Sequence, residues 1–245
     1  MTAIRITVTK TAGSVPREAG TQMLVWADRT EGTIGGGRLE WDAMAEARRM
    51  LCEGRTEHRA RIPLGPALGQ CCGGSVSLLW EEAEAITITP ARPLWIYGAG
   101  HVGRALVNVI APLPDFDITW IDTAAGRFPQ TDVTTLVASD PTLVVKHAPT
   151  DADHLILTYS HEIDFALCHA VLNHAFHSVG LIGSATKWAR FRARLAALGH
   201  SNAQISRIAC PIGDPSLGKH PAEIALGVAT AMISASNRQT KERTA

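Results

Sequence analysis

The chain has 245 residues, with 23 basic side chains set against 23 acidic ones and therefore no formal net charge. Hydrophobic residues make up 46% and charged residues 19%, a globular balance that excludes intrinsic disorder. With no positive excess to neutralise phosphates, a nucleic-acid partner is not expected. No stretch approaches the apolar length of a membrane span. The opening MTAIRITVTK lacks the layout of a secretory signal, so the expected location is the cytoplasm, away from membranes.

Taken in chain order, Ile4–Thr9 alternates as a strand does, and the turn-rich 11–16 breaks it. Gln22–Trp26 forms a second apolar run, closed by a polar turn at Asp28–Gly32. Three glycines, Gly35-Gly36-Gly37, precede a helical pattern from about Leu39 to Cys52, in which Leu39, Ala43, Ala47 and Met50 recur at helical spacing. Strands at Glu57–Ile62 and Ser75–Trp80 flank a loop at Pro63–Gly74. These elements describe a small α+β domain over residues 1–88, with a boundary near 81–92.

Residues 89–245 change pattern. Leu94–Tyr97 is a short apolar strand, Gly98–Gly103 a glycine turn and Arg104–Ile110 an apolar helix. Strands follow at Asp117–Ile121, Thr134–Ala138, Leu155–Thr158 and Val179–Gly183, with helices at Ile163–Phe176 and from Ser184 to about Leu198. Strands alternating with helices imply a parallel sheet, so the fold class is α/β, with a Rossmann-like domain following the α+β one. A last helix runs from about Pro221 to Ile233, and Gln239–Ala245 reads as a frayed polar tail.

Gly98-Ala99-Gly100-His101-Val102-Gly103 is a G-x-G-x-x-G turn between a strand and a helix, and Asp122 ends the next strand. In such a turn the first glycine allows the tight bend, the second admits a phosphate to the backbone, and the third lets helix and strand pack closely. Free N–H groups at the helix start receive the anion. Asp122 would suit a ribose diol, or a polar group of another phosphate-bearing ligand. The bland alternative is a turn that closes a βαβ unit and binds nothing.

Five cysteines, at 52, 71, 72, 168 and 210, form no CxxC pair and no even framework. Structural disulfides and zinc fingers are not expected. Cys71-Cys72, held between Gly69-Gln70 and Gly73-Gly74, differs from the rest. A vicinal disulfide there would be strained, so the useful chemistry is that of soft thiolate ligands or a sulfur acceptor. Cys52, Cys168 and Cys210 read as small residues filling space.

Two loops fall where a parallel sheet places its strand C-termini: Thr158–Asp164, carrying Ser160 and His161, and Gly183–Lys187, carrying Ser184 and Lys187. Ser160 and Ser184 suit helix capping. His161 and Lys187 can reach an anion, although Lys187 also reads as a solvated charge beside Arg190, Arg192 and Arg194. His169, His174 and His177 lack the spacing of a metal face. There is no G-x-S-x-G elbow, P-loop or His-Glu-x-x-His motif.

Gly13-Ser14-Val15-Pro16-Arg17, Gly35-Gly36-Gly37 and Gly69-Gln70-Cys71-Cys72-Gly73-Gly74 resemble the first domain of the XdhC/CoxI family. Gly98–Gly103, Gly180–Ser184 and Cys210–Gly213 continue the resemblance over essentially the whole chain, and the double cysteine is similar to the XdhC branch, the xanthine dehydrogenase accessory proteins. The resemblance implies a molybdenum cofactor chaperone, not an enzyme. Such a chaperone binds and protects molybdopterin as cargo and works with a cysteine desulfurase that supplies the sulfido ligand. It then delivers the cofactor to apo xanthine dehydrogenase, and it is commonly a homodimer.

The expected binding set joins Gln70, Cys71, Cys72 and Gly73 of one loop to Gly98, Gly100, His101, Gly103, Asp122, His161, Ser184 and Lys187, with Cys71 and Cys72 facing molybdenum or its sulfur. The rival expectation is an NAD(P)-dependent oxidoreductase using Tyr159 or His161 as acid/base. Two departures from the family stand out. Family members usually carry a helical segment before the first strand, whereas this sequence begins almost at that strand, and the family's Thr-His-x-His appears as Thr158-Tyr159-Ser160-His161.

Overall fold

A computed structural model describes residues 2–65, 73–86 and 91–244, with side chains through 235. The chain divides into two units, Met1–Ile88 and Thr89–Ala245.

In unit 1, strands β1 (Ala3–Ala12), β2 (Gln22–Val25), β3 (Thr30–Gly32), β4 (Glu57–Pro63) and β5 (Ser75–Ala83) form one sheet of order β3-β2-β1-β5-β4. All its pairs are antiparallel. Alternation along β1 buries Ile4, Ile6 and Val8 on one face. Helix α1 (Gly37–Glu53) covers that face with Leu39, Ala43, Ala47 and Met50. Trp80 lies in the same core, its indole N–H donating 3.0 Å to the Ala43 carbonyl. Gly54 ends α1 in the left-handed region at φ +67°, closing the helix as its sequence position suggests. The polar turn expected at Asp28–Gly32 differs in one respect, since its last three residues pair with β2 as the edge strand β3.

Unit 2 is built on a six-stranded parallel sheet of β6 (Arg92–Tyr97), β7 (Phe116–Asp122), β8 (Thr134–Val137), β9 (Asp153–Ile156), β10 (Ser178–Leu181) and β11 (Ile208–Ala209). Its order is β11-β10-β9-β6-β7-β8. The first strand is thus central, the next two lie on one side of it and the later three on the other, which is the doubly wound dinucleotide-fold order.

Leu106, Val107 and Ile110 of α2 (His101–Ile110) share a core with Ala225, Val228 and Ala229 of α6 (Pro221–Thr244) on one face. Leu167 and Val171 of α3 (His161–Leu172) and Phe191 and Leu195 of α4 (Ala185–Ala197) fill the other core. A short helix α5 (Asn202–Ile205) follows α4, and a 3-10 segment at Pro141–His147 precedes β9. The tail at 239–244 is a correction, because α6 continues to Thr244. No helix of the described residues is long and apolar enough to cross a membrane.

Candidate functional site

The order of the unit 2 sheet reverses between β6 and β9, and the loops leaving those two strands flank the crevice that such a reversal opens. After β6, Gly98 takes φ +117°, and a Cβ there would strike the Leu157 carbonyl. A Cβ at Gly103 would strike the Gly98 carbonyl oxygen. Glycine at both positions is therefore explained by the protein's own close packing. Gly100 is different. Its backbone is extended, at φ −77° and ψ −170°, which any residue adopts. A Cβ there would meet nothing within 4 Å. Gly100 is also the N-cap of α2, and no side chain caps that helix. The first-turn amides are thus left to water or to a ligand.

Above Gly100 lies a cleft of about 550 Å³. Its walls are Ala99–Val102 and Arg104 from the turn and α2, Gly126 and Arg127 from the turn after β7, Leu157–Tyr159 after β9, and Ile182. Asp122 stands at the end of β7 as expected, but its carboxylate faces inward and is 3% exposed. The Ala99 N–H donates to Oδ2 at 2.5 Å, and the Thr123 N–H and hydroxyl donate to Oδ1 at 2.6 and 3.2 Å. Arg127 Nε forms an ion pair with Oδ1 at 2.8 Å, and its guanidinium lies 4.5 Å from the centre of the Tyr159 ring. Asp122 therefore organises the glycine turn and does not present a free carboxylate to the cleft.

Arg104 donates from Nε to the Ala99 carbonyl at 3.1 Å and from Nη2 to the Arg127 carbonyl at 2.6 Å. Neither arginine was singled out by sequence reasoning, because a charge on a helix start or in a polar turn reads as solvated. The one available signal was that Arg104 lies one helical turn beyond Gly100 and so returns to the face of the glycine turn.

Gly98, Gly100, His101 and Gly103 thus come together with Asp122. Ser184, Lys187 and His161 are placed otherwise. Ser184 Oγ accepts from the Lys187 N–H at 3.2 Å, and Ser160 Oγ from the Glu162 N–H at 3.3 Å, so both serines cap helices. Lys187 is not a solvated charge. Its side chain is 9% exposed, and Nζ donates to Asp164 Oδ2 at 2.6 Å and to the Ile182 carbonyl at 2.9 Å. Asp164 in turn accepts from the Thr158 N–H and hydroxyl at 2.9 and 2.7 Å, fixing the loop that forms one wall of the cleft. His161 is exposed at the first position of α3 and does not line the cleft, whereas Tyr159 does, with 61% of its surface exposed.

Gln70, Cys71 and Cys72 lie outside the described residues; Gly73 and Gly74 are described. Gly73, at φ +64°, bridges Ser14, and a Cβ on Gly74 would strike the Ser14 and Ala12 carbonyls. A Cβ on Gly35 would lie 2.8 Å from Pro16. The three glycine segments, far apart in sequence, therefore meet at the end of the cysteine loop. Glu40 holds the middle one, its Oε2 accepting from the Ile34 N–H at 2.8 Å, the Gly36 N–H at 3.1 Å and the Thr33 hydroxyl at 2.5 Å. Burial pulls the Glu40 carboxyl upward most strongly, but the hydrogen bonds together outweigh it and leave it below its ordinary value.

Of the remaining cysteines, Cys168 is buried as expected, and burial pushes the half-buried Cys210 thiol up to about 11, with Lys187 drawing it down and Asp164 adding to the rise. Cys52 is exposed, contrary to a space-filling role. His169 Nδ1 lies 2.7 Å from His200 Nε2, and His177 Nδ1 lies 2.7 Å from Asp153 Oδ1. Among the described residues, no three His, Cys, Asp or Glu side chains gather as metal ligands.

Fold and cleft together define a two-unit protein whose parallel half carries a dinucleotide-type ligand crevice and whose antiparallel half brings three glycine segments together. Residues 94–232, more than half of the chain, match the XdhC Rossmann domain, and residues 2–62 match the XdhC and CoxI family. The chain belongs to the XdhC/CoxI family. It is similar to the uncharacterized protein YqeB of Escherichia coli K12, with 30% identity over 235 residues, 92% of this chain and 42% of YqeB. The chain thus spans less than half the length of that relative. The fold is also that of a Bacillus halodurans protein described as a xanthine dehydrogenase, with a TM-score of 0.81, 18% identity, and coverage of 97% of this chain and 92% of that one.

Proposed function

We propose that this chain is an accessory protein of xanthine dehydrogenase, a carrier that takes molybdopterin-type molybdenum cofactor as cargo. It protects the cofactor while a cysteine desulfurase supplies its terminal sulfur, and hands it to the apo dehydrogenase. Family membership supports the accessory role. The observation that carries the cargo reading is Gly100: glycine stands there without any demand from protein packing, beside an uncapped helix start, at the floor of a cleft about 550 Å³ in size. An anionic group seated over Gly100 receives the α2 amides, and Tyr159 and Leu157 offer apolar surface to a ring beyond it. In this reading Cys71 and Cys72 meet the soft metal–sulfur end of the cargo, and the chain acts as a homodimer in the cytoplasm, binding without catalysing.

The chain does its work by holding the cargo, excluding water from it and releasing it. The test is purification from a host that makes molybdopterin, followed by assay of bound pterin and molybdenum. The expected result is near-stoichiometric pterin on the wild-type chain and loss of retention in a folded Cys71→Ala/Cys72→Ala variant. Unchanged retention in that variant removes the cysteines from the function, and a wild-type chain free of pterin removes the cargo.

A further inference from the structure

We propose that the unit 2 cleft selects a small-molecule phosphomonoester through Arg104 and Arg127, and turns away NAD(H) because Asp122 is closed to a ribose diol. The inference deepens the cargo reading and rests on it only for the ring the phosphate carries.

Charge balance comes first. Among the described residues no carboxylate lines the cleft. Asp122, behind its wall, is matched by Arg127 at 2.8 Å. Arg104 has no such match, since both of its hydrogen bonds go to carbonyl oxygens, those of Ala99 and Arg127. Among the described residues no acceptor takes Arg104 Nη1 or either Arg127 Nη. The cleft therefore holds one uncompensated guanidinium, a second with free donors, and the positive end of α2, worth about half a charge. A phosphomonoester, carrying about −1.5 to −2 at neutral pH, matches that sum, and guanidinium forks match its oxygens.

Selectivity follows from Asp122. A dinucleotide in this fold gives its ribose diol to the acid that ends the second strand. Here that side chain is 2% exposed, both oxygens already accept protein donors, and the Arg127 guanidinium stands between it and the Tyr159 ring. To reach Asp122 a ribose would have to displace the Ala99 amide, and with it the glycine turn that holds the phosphate. The two halves of NAD recognition, phosphate and ribose diol, therefore exclude each other in this cleft.

The experiment uses the full purified chain and three probes in fluorescence titration: 6-hydroxymethylpterin monophosphate, the unphosphorylated alcohol and NADH. The expected result is saturable binding of the monophosphate, at least tenfold weaker binding of the alcohol, and no saturation by NADH. In Arg104→Gln and Arg127→Gln variants that melt as the wild type does, the preference for the monophosphate falls about tenfold while alcohol binding is unchanged. Equal binding of monophosphate and alcohol by the wild type, or saturation by NADH, overturns the proposal without recourse to any variant. A chain that co-purifies with pterin and molybdenum yet prefers the alcohol refutes the clamp alone. A chain that prefers the monophosphate but never carries cofactor refutes the cargo and keeps the clamp.

Discussion

The contrast between Gly100 and Gly103 predicts that alanine at the two positions will have opposite consequences. At Gly103 a Cβ runs into the Gly98 carbonyl oxygen and comes within 3.1 Å of both the Gly98 carbonyl carbon and Leu157 Cδ1. Two of those three atoms are backbone and cannot swing aside, so overpacking costs about 1–3 kcal/mol. Up to about 1 kcal/mol returns from the better helix propensity of alanine. The net loss lies between about 0 and 3 kcal/mol and centres on about 1.5 kcal/mol, a fall of about 3–6 °C in the melting of a unit of this size.

At Gly100 the added methyl meets nothing within 4 Å. Alanine is the poorer N-cap by about 0.5–1 kcal/mol, and the stiffer unfolded chain returns about 0.4–1 kcal/mol. Stability should hold within about 0.5 kcal/mol, while the methyl occupies the space assigned to the anion. The assay is a thermal melt of each variant beside a titration with the pterin monophosphate. Gly100→Ala should melt with the wild type and bind at least tenfold more weakly; Gly103→Ala should melt early. A Gly100→Ala variant that binds normally, or a Gly103→Ala variant as stable as the wild type, refutes the division of the turn into a packed part and a receiving part.

Two further outcomes follow from buried polar groups. Lys187→Met leaves the 1%-exposed carboxylate of Asp164 without its cation and should cost about 3–5 kcal/mol, read as an early urea midpoint, whereas adding Asp164→Leu should recover much of that loss. His154 is fully buried, and burial, helped by His174 and opposed by Asp153, lowers its pKa to about 4, so the folded chain keeps the ring neutral. Because the unfolded chain binds the proton first, this contribution is complete above pH 6.5 and is lost as pH falls towards 4, a decline of roughly 3 kcal/mol that His154→Phe should flatten.

The parallel half was legible because each strand-turn-helix step is local: the apolar run 94–97, the glycine turn and Asp122 sit in one βαβ unit. The strand order was not legible, since pairing β6 with β9 joins segments nearly 60 residues apart and no local pattern records it. Strand β3 escaped because Thr30-Glu31-Gly32 is exposed throughout and carries no alternation to read. The tail at 239–244 was misjudged because polarity was taken for fraying, although Gln, Lys, Glu and Arg are good helix formers. Site chemistry was legible where backbone sets it, at Gly98 to Gly103, and hidden where it depends on which charges meet. Asp122 was read as a donor of binding energy and proves to be a brace. Lys187 finds its acid 23 residues away, on another helix.

The brace at Asp164 bears on how the proposed cargo would leave. Thr158, Lys187 and the α3 start are tied to one buried carboxylate, so the β9 side of the cleft is set before any ligand arrives and does not act as a door. The opposite wall differs: the Arg127 guanidinium there is tied to Asp122 by a single ion pair and otherwise lies over the ring of the exposed Tyr159. Hand-over therefore needs a competitor for one charge. A receiving enzyme that offers its own cation to the phosphate, or an acid to Arg127, shifts the exchange without unfolding any part of the carrier. On the proposed carrier role, release would be a transaction between charged groups, coupling unloading to the arrival of the acceptor and leaving the cargo held in its absence.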